Sequence, residues 1–162
     1  MIEVDNELIG HMSNPNNYGR IEDADSIGIG ENPQNGEKVI IYLKVVKRGD
    51  EFFIEDIAFE AIACMTTVVA GSIITNEAKN ITFNKAKELI AVTLAMIENV
   101  PLEQAACTEI VTAALQAAMD GFKRSLEIGK KETLIYKIEQ SCNPNQQFNM
   151  KGNNEESINK NS

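Results

Sequence analysis

Between Glu37 and Lys47 the chain carries Val39, Ile40, Ile41, Tyr42, Leu43, Val45 and Val46. That density of β-branched and aromatic side chains predicts a largely buried strand. Glu51 to Ile62 continues in the same style with Phe52, Phe53, Ile54, Ile57 and Phe59. Arg48-Gly49-Asp50 between them is a short Gly-containing connection, which predicts an antiparallel hairpin. A sheet begun near Ser26 to Ile29 would supply a third strand. Ahead of it, a short amphipathic stretch, Leu8-Ile9-Gly10-His11-Met12, is broken by Asn14-Pro15-Asn16-Asn17-Tyr18-Gly19. The second punctuated run, Gly28 to Gly36 with Pro33 and Asn35, reads as a mobile loop leading into the first convincing strand.

Beyond Cys64 the pattern changes. Met65 to Thr75 mixes small residues with apolar ones at helical intervals, predicting a tightly packed buried helix despite Gly71 and three threonines. Asn84 to Leu89 is a short polar helix candidate capped by Thr82, and Ile90 to Ile97 is an apolar stretch of either type. The clearest period follows: Cys107, Ile110, Val111, Ala114, Leu115, Ala118, Met119 and Phe122 form one continuous helix face. Pro101 suits its start, and Gly129 with Lys130-Lys131 suits its end. Strands first and helices afterwards predict an α+β domain, an antiparallel three-stranded sheet packed against helices. Residues 1–140 form that domain in this reading. Residues 141–162, rich in Asn and poor in large apolar side chains, form a disordered polar tail.

A length of 162 residues with 43% hydrophobic and 24% charged residues fits one globular domain. No run approaches the roughly 18 apolar residues that span a bilayer. Met1 to Glu7 is acidic and lacks the basic start and apolar stretch of a secretory signal, so a cytoplasmic location is expected. The formal net charge of −9 disfavours nucleic acid and anionic membrane, which attract clusters of Lys and Arg. Proteins or cations are the expected partners. Cys64, Cys107 and Cys142 are an odd number of thiols, a poor basis for a disulfide framework.

Three positions carry the candidate chemistry: the Asn35-Gly36-Glu37 turn, Cys64 and Cys107. Cys64 falls at a strand-to-helix junction and Cys107 in the first turns of the long helix. The positive end of a helix favours the thiolate that binds metal or accepts sulfur. Spacing alone favours two buried thiols acting as small hydrophobes. Cys142, among Ser141, Asn143 and Pro144, is a further thiol that the tail or a second copy could bring to the site. Glu22, Asp23 and Asp25 read as a solvated acidic surface.

Leu8 to Gly19, with a His followed by Asn-Pro, Asn and Gly, resembles the opening signature of the IscU/NifU N-terminal family of iron–sulfur cluster scaffolds. Asn35-Gly36-Glu37 resembles the family's first ligand loop, Ile54 to Cys64 the strand entering its second cysteine, and Cys107 its third. The similarity runs from about Leu8 to Leu126. It implies a non-enzymatic scaffold that takes sulfur from a cysteine desulfurase, takes up iron, and passes a small cluster to acceptor apo-proteins, with help from a chaperone. The metal ligands implied are Glu37, Cys64 and Cys107, and the cargo an iron–sulfur cluster or iron, with Zn²⁺ as an alternative, since soft thiolates hold all three. His11 receives no ligand role. The chain departs from the family where Asn35 replaces the first cysteine, Glu37 an aspartate and Ala106 a histidine. The chaperone segment is reduced to Val100-Pro101-Leu102-Glu103-Gln104. A divergent interaction module of the same fold is the competing expectation, and self-association is compatible with either.

Overall fold

The computed structural model describes residues 10–11, 13–99 and 102–138. Leu8, Ile9, Met12, Val100, Pro101, Cys142 and the polar tail lie outside the described residues, as do the side chains of Leu102, Glu103 and Gln104. The elements are β1 (Ser26–Asn32), β2 (Glu37–Arg48), β3 (Glu51–Ile62), α1 (Met65–Ala78), α2 (Phe83–Met96), a 3-10 turn at Ile97–Asn99, α3 (Leu102–Ile128) and β4 (Leu134–Lys137). Helices cover one face of the sheet. The opposite face carries a smaller cluster in which Ile21 and Ala24 lie on Ile27, Ile40, Tyr42 and Ala58.

The α+β class holds, but the sheet is not three-stranded and antiparallel. Among the described residues it has four strands in the order β3-β2-β1-β4, and β4 pairs parallel to β1 from Gly28↔Leu134 to Glu31↔Lys137. The reason is physical: β1 sits inside the sheet, so the backbone groups it turns away from β2 need partners. Among the described residues the segment returning after α3 supplies them, and Ile138 N extends the ladder by donating to Glu31 O at 2.9 Å. Four residues are too few for alternation to announce a strand locally.

Gly28 to Asn32 is likewise not a mobile loop but most of β1, paired to β2 through Asn32↔Glu37. The glycines serve close approach rather than turning. A Cβ on Gly28 would lie 2.1 Å from Ala118 N, and one on Gly30 2.4 Å from Ile110 O. Removing both side chains lets α3 rest directly on the strand. The turn itself is confined to residues 33–36, where Gly36 N donates to Asn32 O at 2.8 Å.

The β2–β3 hairpin is antiparallel as expected and closes at Arg48↔Glu51, which leaves Gly49 and Asp50 as its turn. A bulge between Lys44 and Val45 is supported by Asp25, whose Oδ2 accepts from Val45 N at 2.8 Å. Asn84 to Leu89 and Ile90 to Met96 are one helix, α2, because Phe83, Ala86 and Ile90 share its buried face. Thr82 caps it as anticipated, its side chain accepting from Lys85 N at 3.0 Å.

The helix after Cys64 is confirmed as α1, with Thr67, Gly71, Ser72, Ile74, Thr75 and Ala78 buried. Its buried hydroxyls hold the N-terminal segment: Ser72 Oγ meets His11 Nδ1 at 2.6 Å and accepts from Asn16 N at 2.7 Å. Asn17 Nδ2 donates to Thr75 Oγ1 at 3.0 Å. Residues 17–19 then pair with Phe59, through Phe59 N to Asn17 O and Gly19 N to Phe59 O. That covers part of the outer edge of β3. The core between sheet and helices joins Val39, Ile41, Leu43, Ile54, Ile57 and Phe59 to Ile110, Val111, Leu115 and Met119 of α3. Each such side chain contributes about 1.5–3 kcal/mol by leaving water. Phe52, Phe83 and Phe122 knit β3, α2 and α3 with centroids 5.2–5.8 Å apart.

Candidate functional site

β3 delivers the chain to Cys64, the N-cap residue of α1, whose carbonyl accepts from Thr67 N and Val68 N. Cys107 lies in the second turn of α3 and is 3% exposed, whereas Cys64 is exposed. Although 43 residues separate them in sequence, their sulfurs lie 3.6 Å apart. The pairing follows from the packing of α1 on α3, both laid over the same face of the sheet.

Glu37, the first residue of β2, reaches the same place from a third direction. Its Oε2 accepts from Cys64 N at 3.3 Å, and its Oε1 accepts from the Thr67 hydroxyl at 3.4 Å. Thr67 Oγ1 also stands 3.5 Å from Cys64 Sγ. The three expected residues are therefore gathered at one end of the sheet. In this arrangement the carboxylate binds the start of α1 rather than facing the sulfurs, and among the described residues no three His, Cys, Asp or Glu side chains stand as a ready-made metal-binding set. A turn of the Glu37 side chain would be needed to add an oxygen to the two sulfurs.

Asn35 shapes this end of β2. Its Oδ1 accepts from Glu37 N at 3.0 Å, an Asx-type turn that fixes the direction of the Glu37 backbone. His11 is a hydrogen-bonding residue on Ser72, away from the sulfur pair in the contacts it makes. Asp23 and Asp25 are ion-paired with Lys44, at 3.4 and 3.8 Å. Ala106 is buried beside Cys107. Ile62 and Met65, flanking Cys64, are 69% and 48% exposed, so the accessible thiol has an apolar rim. Thr67 is the participant that the sequence pattern did not single out. Its spacing of three from the N-cap was the available signal, since that places its hydroxyl over the cap residue.

The sequence model of the NifU-like N terminal domain family matches residues 3–128. An iron-sulfur cluster assembly scaffold protein, IscU 1 of Archaeoglobus fulgidus, is 32% identical over 130 residues, covering 79% of this chain and 82% of the relative. The Escherichia coli K12 scaffold protein IscU is 26% identical over 124 residues, covering 75% of this chain and 94% of the relative. Among solved structures, a NifU-like N-terminal protein from Brucella abortus superposes with a TM-score of 0.58 at 15% identity, covering 72% of this chain and 92% of its own. A putative SUF-system scaffold protein from Fervidobacterium islandicum gives 0.57 at 18%, covering 69% and 93%. These two likenesses concern the fold. The curated relatives named are scaffold proteins, and no helix among the described residues is long and apolar enough to cross a membrane. With its matched span running through β1 to α3 and the gathered thiols, this chain belongs to the NifU-like N-terminal domain family.

Proposed function

We propose that the chain is an iron–sulfur cluster scaffold or carrier, in which Cys64 and Cys107 hold iron, sulfur or a nascent cluster and Glu37 supplies an oxygen. One observation supports this above the rest. Two thiolates about 2.3 Å from one tetrahedral metal stand about 3.8 Å apart, and these sulfurs stand 3.6 Å apart before any metal is bound. Iron and sulfide are cargo here, not resident groups. Cys64, exposed at the surface, is the thiol a sulfur donor can reach, and Cys107 is the buried anchor. Glu37 holds the start of α1 until its carboxylate is recruited.

A cysteine desulfurase is the sulfur source in this reading and acceptor apo-proteins the destination. The apolar rim of Ile62 and Met65 suits contact with such proteins. Residues 1–140 are assigned to the scaffold domain and 141–162 to an appended tail. The location proposed is the cytoplasm.

Anaerobic incubation with ferrous iron and sulfide tests the reading. Bound iron and visible sulfur-to-iron charge-transfer absorption are expected, both lost in Cys64→Ala and in Cys107→Ala. Failure of the unaltered chain to bind iron overturns it. A second reading is favoured by Asn35, whose side chain shapes a turn where the resembled family has a thiol. With two sulfurs and one oxygen the site suits a single Zn²⁺. Zinc in near-stoichiometric amount after purification without added metal, with no cluster on reconstitution, would select that reading.

A further inference from the structure

Asn32 ends β1 with a side chain that is 1% exposed. Its Oδ1 accepts from Gln34 N at 3.1 Å, whereas Nδ2 has no hydrogen-bond partner among the described residues. An unpaired buried amide donor is a standing cost to the fold, one that an apolar side chain at the same place would avoid. Two independent registers show where this donor faces.

Along β1, Ser26 Oγ donates to Ala118 O. The Cβ direction of Gly28 meets Ala118 and Ala114, and that of Gly30 meets Ile110 and Ala114. Each step of two residues on the strand thus moves about one turn back along α3, as about 6.6 Å per strand step and 6 Å per four helical residues require. The next step brings Asn32 to the turn holding Ala106, Cys107 and Ile110. Across the sheet, Asn32 pairs directly with Glu37. Directly paired residues of an antiparallel ladder share a face, with Cβ atoms about 4.5–5.5 Å apart. Both registers therefore direct Asn32 toward the end of the sheet where Glu37 and the Cys107 turn of α3 lie.

We infer that Asn32 is a positioning residue of this site, its Nδ2–H donating to the sulfur held at Cys107 once cargo is bound. A neutral thiol is a weak acceptor and a metal-bound thiolate a strong one. The donor thus gains its partner in the loaded state. Groups that hydrogen-bond to metal ligands typically contribute 10–100-fold to affinity. This inference rests on the metal-binding reading above and adds a residue that it does not include.

The test uses Co²⁺ alone as probe, titrated into the reduced full chain, with Asn32→Asp and Asn32→Leu beside the unaltered protein. Asn32→Asp keeps the acceptor for Gln34 N without the amide donor, and Asn32→Leu removes the donor without adding charge. Both are expected to weaken Co²⁺ binding about 10–100-fold. In Asn32→Leu the sulfur-to-cobalt band should also move to lower energy, since a thiolate without a hydrogen bond donates more charge. Circular dichroism of the metal-free variants should match the unaltered chain. Unchanged affinity in both variants overturns the inference. Weakening in Asn32→Asp alone shows a charge effect, and in Asn32→Leu alone a loop effect, and either also overturns it. Asn32→Val, better suited to a strand, replaces Asn32→Leu if that variant does not fold. If Co²⁺ binding by the unaltered chain survives Cys64→Ala and Cys107→Ala, it is the metal-site reading that fails, irrespective of Asn32.

Discussion

Two thiols 3.6 Å apart, one exposed and one buried, need only small side-chain rotations to approach the 2.05 Å of a disulfide. Diamide treatment of the metal-free chain is therefore expected to join Cys64 to Cys107, each disulfide losing two hydrogens to one diamide, which becomes the hydrazine. Peptide mass mapping checks the pairing, and the oxidised chain should bind no Co²⁺ until a dithiol reduces it. Crosslinks between chains, or pairing through Cys142, would count against the geometry. A second outcome concerns Asn35. Asn35→Cys is expected to add a sulfur ligand and tighten Zn²⁺ binding by about tenfold or more, roughly 1.4 kcal/mol, measured by competition with a chromogenic chelator. At this scale the cysteines and Glu37 were legible in the sequence through their resemblance to family positions. Asn32 and Thr67 were not, because what marks them is burial and a neighbour from a distant segment, neither of which spacing encodes.

Helix α3 and strand β1 touch backbone to backbone, so their glycines should be intolerant of even a methyl group. Gly28→Ala and Gly30→Ala are each expected to lower stability by about 3 kcal/mol or more in urea unfolding, at or beyond the upper end of ordinary overpacking, since the obstructing atoms include backbone. Gly30→Ala should also weaken metal binding, because it displaces the part of α3 nearest Cys107. By contrast, Thr82→Ala removes only the α2 cap and should cost about 1 kcal/mol, with the site unaffected. The same contrast explains which elements could be read in advance. α3, β2 and β3 are long enough for their apolar period to dominate, and the Thr82 cap is a local hydrogen bond. Gly28 and Gly30 misled because glycine marks a turn and a close contact with the same letter. Helix α2 is not legible as one element because its buried positions, Phe83, Ala86 and Ile90, are spread over a polar stretch and the apolar one that follows.

Across the whole molecule the last strand is tied to the helix layer by Tyr136, whose hydroxyl donates to Asp120 Oδ2 at 2.5 Å. Burial first, and then that hydrogen bond and the Asp120 charge, push the phenol up to about 12 from an ordinary value of 10.0. The native state therefore favours the neutral phenol. The associated stability is fully present below pH 10 and is lost as pH rises from there through about 12. Tyr42, also raised by burial and by Glu60, acts in the same direction. Urea midpoints should fall between pH 10 and 12, and Tyr136→Phe should flatten that fall while lowering stability at neutral pH. The placement of β4 was beyond sequence reasoning, because a short strand against β1 is specified by vacant hydrogen-bonding groups rather than by its own period. It also sets an order of events during synthesis. β1 is made before the described helices, yet its parallel neighbour leaves the ribosome only after them, so a strand edge stays open while they are synthesised. Cys107 is made within that interval, in the helix just ahead of β4, so the sulfur pair must wait for the same helix that precedes closure of the sheet.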